Sequence, residues 1–192
     1  MTHTITPRGR VSFANVFKPK LNTLNNKQEY SLDLLFPKTQ DISSIKNELR
    51  RVIADKWPGK EMKGLKFPIK DGDSLKQNGS AYPAEYHGHV FITFKSEQQP
   101  GLVDAQRQPI IDPNEFYSGC YAIVHYRAAA YDHQANKGVS LWLNNVQKVA
   151  EGESFGARTA KAEDVFADQG SENPANYAAP AASQPQSFDP LA

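Results

Sequence analysis

The stretch GCYAIVHYRAAAY, residues 119–131, constrains the fold most strongly, because its side chains alternate with a period of two. Successive side chains of a β-strand point to opposite faces, so this period predicts a strand. The even positions from Cys120 to Ala130 are mostly small and apolar, as expected of a side that faces a core. The opposite side is too polar for a core and too aromatic for an ordinary wet surface. It includes Tyr121, His125, Arg127 and Tyr131.

Four further strands and one helix are predicted before residue 161. Apolar or alternating runs predict the strands at 9–17, 29–36, 88–95 and 137–149. Apolar residues at positions 42, 45, 49, 52 and 53 have helical spacing, which predicts a helix over 41–57. Asp41 is its predicted N-cap, and Pro58-Gly59 ends it.

The order of these elements predicts a mainly β protein with an OB-fold, a five-stranded Greek-key barrel with one main helix and long loops. A barrel is favoured over a flat sheet because closure removes most of the exposed strand edges. The longest loop is predicted at 58–87 and carries several lysines. A small hairpin at 101–112 and one helical turn at 112–116 complete the prediction.

Charge is distributed unevenly along the chain. Residues 162–192 contain five acidic residues and no Lys or Arg, a net charge of −5. The whole chain has 22 basic and 21 acidic residues, so residues 1–161 hold 22 basic and 16 acidic residues and carry +6. A basic body with an acidic tail indicates binding to a polyanion. We therefore predict a binding domain at 1–161 and an acidic tail at 162–192.

The tail is rich in Ala, Pro, Gln and Ser and poor in aliphatic residues, a composition typical of disorder. Its last residues, SFDPLA, predict docking on replication proteins through Phe188, Asp189 and Leu191. The only cysteine is Cys120, so no internal disulfide is expected and a reducing cytosol is favoured. The sequence shows neither the apolar stretch of a signal peptide nor an apolar run of about 18 residues.

The mixed faces of three predicted strands favour binding of an unpaired nucleic acid strand. Rings spaced along a strand stack on successive bases without sequence preference, and cations neutralise phosphates. The predicted stacking residues are Tyr121, Tyr131, Phe91, Trp142 and His125. The predicted phosphate-contacting residues are Arg127, Lys95, Arg10, Lys18, Lys20, Lys63 and Lys66. The alternative for each ring is packing beneath the helix or the long loop as a satellite core.

A metal-dependent function has weaker support in the sequence. Asp71-Gly-Asp73 lacks the remaining ligands of a calcium loop, and it is more simply a turn. His87 and His89 could combine with Cys120 or His125 at a zinc ion, but no spacing fixes such a set. We expect no cofactor, no metal and no enzyme activity. A metal-dependent nuclease and a virion or scaffold protein remain alternative functions.

Several motifs, in order from about Gly9 to Gly156, resemble the OB-fold family of bacteriophage single-stranded DNA-binding proteins. They include GRVSF, FPxxDGD and GHxFI, and the most specific are DPNEFYSGCY and LNNVQKV. The resemblance implies a protein in the cytoplasm of an infected bacterium that coats single-stranded DNA in replication, recombination and repair. Weak duplex binding is expected to be limited by the tail. An annealing or recombination mediator on the same fold is the alternative.

Overall fold

The computed structural model describes residues 4–23, 26–59, 64–133 and 136–156. The helix α1 spans Ser43–Lys56. The strands, in chain order, are β1 (Thr4–Ile5), β2 (Gly9–Asn22), β3 (Lys27–Pro37), β4 (Ile69–Asp71), β5 (His89–Ser96), β6 (Gly101–Val103), β7 (Tyr121–His133) and β8 (Asn136–Ala150). The acidic tail predicted at 162–192 lies outside the described residues.

The five long strands close into a barrel. β2 pairs with β3, β3 with β5 and β7 with β8 in antiparallel fashion, whereas β5 and β8 are parallel. The ring closes where β2 meets β7, with Gly9 opposite Ala122 and Arg10 opposite Tyr121. The predicted OB-fold barrel with one main helix is therefore confirmed. The short strands β1, β4 and β6 pair with β7, β5 and β8.

Two predicted loop regions differ in part from the structure. The predicted loop at 58–87 contains β4, which pairs with β5. The predicted hairpin at 101–112 is present, since the Asp104 N–H donates to the Gln108 carbonyl at 2.9 Å and the Ile110 N–H to the Leu102 carbonyl at 3.0 Å. Its first arm, β6, also pairs in parallel with β8, which was not predicted. β4 and β6 have three residues each and pair with strands that are distant in the sequence. Their local sequence pattern therefore does not identify them as strands.

The core fills the barrel and confirms the predicted alternation. Cys120 just before β7 and Ala122, Val124 and Tyr126 on β7 are buried, whereas Tyr121, Ile123 and His125 between them are only partly buried. The other two predicted core positions, Ala128 and Ala130, are partly buried and pack against the core. The facing core positions of the other strands are apolar as well, including Val11, Leu32, Leu34, Ile92, Phe94 and Leu141. Burial of each large apolar side chain contributes about 1.5–3 kcal/mol to folding.

The helix α1 packs one face onto this core. Its buried residues Ile45, Leu49, Val52 and Ile53 follow the helical spacing predicted from the sequence. The helix begins at Ser43, two residues later than predicted, and Ile42 occupies the cap position. Asp41 lies one residue further out, where its carboxylate accepts hydrogen bonds from the Ser43 backbone N–H (2.8 Å) and hydroxyl (3.0 Å). The backbone bond is the main reason that the pKa of Asp41 is lowered.

A second apolar cluster lies outside the barrel, between the sheet and the loop 72–88. Leu35, Tyr86 and Phe91 are buried in it, and Tyr82 and Phe155 pack against them. We call these five residues the covered cluster. Among the described residues, no helix is long and apolar enough to cross a membrane.

Candidate nucleic-acid interface

A row of paired residues crosses three strands on the outer face of the barrel. Arg127 on β7 lies opposite Trp142 on β8, and Trp142 lies opposite Lys95 on β5. Neighbouring strands are about 4.8 Å apart, so the three side chains share one patch. Trp142 is 37% exposed, and the guanidinium carbon of Arg127 lies 6.0 Å from its ring centroid. The row therefore presents an exposed indole flanked by two cationic residues.

A groove of about 660 Å³ runs beside this row. The aromatic residues that line it are Phe67, Tyr131 and Trp142, and the basic residues are Lys66, Lys70 and Lys95. Rings and cations together are the two side-chain types that bind a single strand through base stacking and phosphate neutralisation. We refer to this feature as the groove.

The groove lies on the face that OB-folds use for oligonucleotides, the second and third barrel strands and the adjoining hairpin loops. In this chain those strands are β3 and β5, which contribute Glu29 and Thr93 to the lining. Asn22 at the end of β2 and Asn136 at the start of β8 line it where the two hairpins turn. The position of the groove in the fold and the chemistry of its side chains thus both suit the binding of an oligonucleotide.

One wall of the groove is fixed to the barrel by main-chain hydrogen bonds. The Lys66 N–H donates to the carbonyl of Lys137 at 2.9 Å, and the Val139 N–H donates to the carbonyl of Lys66 at 3.0 Å. Gly138 permits this close approach, since a Cβ atom there would lie 2.3 Å from the Lys66 carbonyl oxygen. The wall that carries Phe67 is therefore attached to β8.

Three lysines and two glutamates, Glu29 and Glu97, line the groove, and the lysines differ in how far they are neutralised. Lys95 lies 3.4 Å from a carboxylate oxygen of Glu29, and the Asn22 side chain donates to the same oxygen at 2.8 Å. Lys66 and Lys70 form no salt bridge with another described residue. These two lysines are the groove cations most available to a phosphate.

Comparison with known proteins gives the family. A family model described as "Enterobacter phage Enc34, ssDNA-binding protein" matches residues 2–176. The chain belongs to this family. The resemblance to phage single-stranded DNA-binding proteins predicted from the sequence motifs is thereby confirmed.

Solved structures of this family and of a second phage protein share the fold. The single-stranded DNA-binding protein from bacteriophage Enc34 in complex with ssDNA superposes with a TM-score of 0.67 at 24% identity, covering 80% of this chain and 89% of that chain. Its C-terminal truncation gives a TM-score of 0.65 at 23% identity, covering 80% and 88%. The bacteriophage T7 single-stranded DNA-binding protein gp2.5 gives 0.56 at 16% identity, covering 84% and 98%. No curated protein sequence matches the chain.

The predicted stacking residues of this family member do not form a single row in space. Trp142 and Tyr131 line the groove, whereas Tyr121 and His125 lie outside its lining. Tyr121 packs against the guanidinium groups of Arg8 and Arg10, at 5.4 and 5.9 Å from its ring centroid. His125 makes a 3.0 Å hydrogen bond through Nδ1 with the Asn145 side chain. The groove thus uses only the last part of the β7 face.

The burial of Phe91 does not fit the stacking role predicted for it. Its side chain is 2% exposed and meets the Tyr86 ring edge-on at 4.7 Å and the Tyr82 ring at 4.8 Å. The parity of β5 does place Phe91 on the outer side of the barrel, but the loop 72–88 covers it there. A covered ring has no face to offer a base, so we do not retain Phe91 as a stacking residue.

Arg10 also has a different environment from the one predicted. Its Nε donates to the carbonyl of Gly119 at 3.2 Å and its Nη2 to the carbonyl of Glu153 at 2.7 Å. Its guanidinium carbon lies 4.2 Å from the centroid of the Phe155 ring. These contacts join β2 to the segment after β8, so we do not retain Arg10 as a phosphate contact.

The remaining basic residues fall into three groups. Lys66, Lys95 and Arg127 lie in or beside the groove. Lys18 and Lys20 are exposed in the C-terminal half of β2, and Lys20 lies opposite the groove residue Glu29. Lys63 and the tail residues Phe188, Asp189 and Leu191 lie outside the described residues.

Phe67 and Lys70 also line the groove, although neither is among the stacking and phosphate-contacting residues predicted from the sequence. A usable signal was present, since KFPIK places an aromatic ring beside two lysines in residues 66–70. Its value depends on the pairing with β8, which joins residues about 70 positions apart. No local pattern shows that pairing.

Asp71 and Asp73 both form salt bridges with Lys38. Lys38 Nζ lies 2.7 Å from an oxygen of Asp71 and 2.8 Å from one of Asp73. Its hydrogen bonds are the main reason that the pKa of each carboxyl is lowered. His87 Nδ1 lies 3.1 Å from the other Asp73 oxygen. No cluster of three or more potential metal ligands occurs among the residues the structure describes.

Proposed function

We propose that the chain binds single-stranded DNA in the groove without sequence preference, as expected for its family. Trp142 and Tyr131 stack on bases, Arg127 stacks on Trp142 and contacts phosphate, and Lys66 and Lys70 contact phosphates. The observation that carries the proposal is the Arg127–Trp142–Lys95 row beside a groove on the OB-fold binding face. The Enc34 protein, of the same family, forms a complex with ssDNA, which supports this assignment.

The geometry favours unpaired strands over duplexes. A stacking ring needs a free base face, which paired and stacked bases do not offer, so a duplex gains only the phosphate contacts. The test is a mobility shift with oligo-dT and with a matched duplex at two salt concentrations. We expect tighter binding of oligo-dT at both, with log affinity decreasing linearly with log salt. Equal affinity for the two ligands would contradict the stacking role of the groove.

We propose that the protein acts by binding rather than by catalysis, in the cytoplasm of the infected bacterium. The relatives found are described as DNA-binding proteins, which supports this assignment. Incubation of end-labelled oligonucleotide with the protein and Mg²⁺ tests it. We expect intact DNA after prolonged incubation. Degradation that persists through further purification steps would contradict the proposal and favour a nuclease.

We also propose that residues 1–161 bind DNA and that residues 162–192 act as an acidic tail that limits duplex binding and docks replication proteins. The tail carries a net charge of −5, which opposes the approach of any phosphate backbone. This opposition matters more for a duplex, because stacking does not compensate for it. Truncation after Lys161 should tighten duplex binding by a larger factor than oligo-dT binding. The same affinity ratio before and after truncation would contradict this role.

A further inference from the structure

Phe13 is an exposed aromatic residue in an unusual backbone conformation. Its side chain is 52% exposed, and its φ of 47° lies in the left-handed region that disfavours residues with a bulky side chain. Both features are unfavourable for stability, because they expose apolar area to water and strain the backbone. An outlier of this kind is a reason to look for a function.

A β-bulge in β2 produces this conformation. Ser12 lies opposite Asp33 and Asn15 opposite Ser31, so three steps on β2 correspond to two on β3. The Asn15 side chain donates to the Phe13 carbonyl at 3.0 Å and supports the bulge. Bulges redirect side chains, and this one leaves the Phe13 ring exposed on the outer face.

Phe13 and Tyr82 both rest on buried rings of the covered cluster. The Phe13 ring centroid lies 6.2 Å from that of Tyr86, and the Tyr82 ring stacks on Tyr86 at 5.7 Å with an interplanar angle of 20°. Tyr86 is fixed in turn by its hydroxyl, which donates to Asp33 Oδ2 at 2.7 Å. The rings of Phe13 and Tyr82 thus both pack against Tyr86, a buried residue whose hydroxyl is held by a hydrogen bond.

These rings adjoin the groove through two lysines. Lys70 lines the groove, and its Nζ lies 5.7 Å from the centroid of the Phe91 ring. Gln77 also lines the groove, and the preceding residue, Lys76, places its Nζ 5.4 Å from the centroid of the Tyr82 ring. Cations therefore follow the surface from the groove to Tyr82.

We propose that Phe13 and Tyr82 form a second base-stacking platform, and that single-stranded DNA leaving the groove past Lys70 continues onto it. This inference rests on the proposed binding in the groove and extends it. The groove holds the first part of the strand, and the platform holds a later part. The platform therefore sets the length of DNA at which affinity stops increasing.

The test is a length series of oligo-dT, from about four to about sixteen nucleotides, which spans the usual site sizes of one OB-fold. The full-length protein is compared with its Phe13→Gly and Tyr82→Ala variants by filter binding. Each variant should bind the shortest oligomers as the wild type does. Each should bind the longest ones about 5- to 150-fold more weakly, the factor expected for one base stack.

Phe13→Gly separates binding from folding. Glycine adopts positive φ without steric cost, so this change removes the ring and also relieves the backbone. We expect its unfolding temperature to remain close to that of the wild type. Phe13→Trp should restore binding of long oligomers. Ile111→Ala is the matched control, because Ile111 is an 83% exposed apolar residue that lines neither the groove nor the platform.

The outcomes distinguish this inference from the proposed function. If the wild type binds oligo-dT, Trp142→Ala weakens binding at every length and the two platform variants match the wild type at every length, the platform is refuted while the groove stands. Equal weakening of Phe13→Gly at all lengths would also refute a separate platform. If the wild type binds no oligomer of the series, the groove assignment fails and the platform fails with it.

Discussion

The groove and the covered cluster lie on the same outer side of the barrel, but their aromatic rings differ in exposure to solvent. Trp142 in the groove is 37% exposed, whereas Phe91 in the covered cluster is 2% exposed. Both rings lie on the outer face of barrel strands, among polar neighbours of the same parity. What separates them is the loop 72–88, which packs Tyr86 and Tyr82 onto Phe91 and leaves Trp142 open. An outward-facing ring thus becomes a core residue or a binding residue according to what lies above it.

The sharpest test of this difference is Phe91→Ala. We expect the free energy of unfolding to decrease by about 3–5 kcal/mol, because the change leaves a cavity beneath Tyr82 and Tyr86. Chemical denaturation followed by circular dichroism measures it. Ile111→Ala, at an exposed position, should change this free energy by no more than about 0.5 kcal/mol. A loss below about 1 kcal/mol in Phe91→Ala would mean that the cluster is not a core.

Trp142→Ala should show the opposite behaviour. We expect the binding free energy for oligo-dT to weaken by about 1–3 kcal/mol, since the variant loses one stacking ring. Its free energy of unfolding should change much less than that of Phe91→Ala, because the indole is partly in water already. Isothermal calorimetry with oligo-dT provides the affinity. Trp142→Phe keeps a ring and should recover part of the loss, and unchanged affinity in Trp142→Ala would remove the indole from the interface.

Tyr86→Phe tests the support of the covered cluster without removing a ring. The variant loses the hydroxyl that donates to Asp33, a carboxyl whose pKa is raised mainly by burial. We expect the free energy of unfolding to decrease by about 1–3 kcal/mol, because a partly buried acceptor loses one partner. Binding of the shortest oligo-dT should be unchanged. A variant that unfolds like the wild type but binds short oligomers poorly would contradict the assignment of Tyr86 to stability rather than to binding.

The smallest effect is expected for Arg127→Ala and appears in the salt dependence. If Arg127 contacts one phosphate, the slope of log affinity against log salt should become shallower by about 0.7. Affinity measurements at four or more salt concentrations provide the slope. Lys46→Ala, on the helix, is a matched control that should leave it unchanged. A slope identical to that of the wild type would show that Arg127 does not contact a phosphate.

Much of the fold could be predicted because its signals are local. The period of two on β7 separates Ala122, Val124 and Tyr126 from the outer side, and the burial of all three agrees. The spacing of Ile45, Leu49, Val52 and Ile53 predicts the buried face of α1 in the same way. In these segments the core face follows from the backbone geometry alone.

The site was predictable only in part, because its decisive contacts join distant residues. Arg10 bonds to the Glu153 carbonyl 143 positions away, a partner that no motif around Arg10 indicates. Phe91 is covered by Tyr86, whose own neighbours in the sequence give no sign of packing over β5. For Lys95, Arg127 and Trp142, by contrast, the parity of each long strand correctly predicts the outer side, whereas the pairings that bring the three together are seen only in the structure.

The two tryptophans of the chain lie in contrasting surroundings, and this makes them separate optical reporters. Trp57 is 7% exposed at the end of α1 and donates from its indole nitrogen to Asp132 at 3.4 Å, whereas Trp142 stands in the groove. The fluorescence of Trp57 should therefore change when the barrel unfolds, and that of Trp142 when a base stacks on it. A Trp57→Phe variant would leave Trp142 in the groove as the single tryptophan, which excitation beyond the absorption of tyrosine selects. Its quenching on addition of oligo-dT would report occupancy in solution without any label on the DNA.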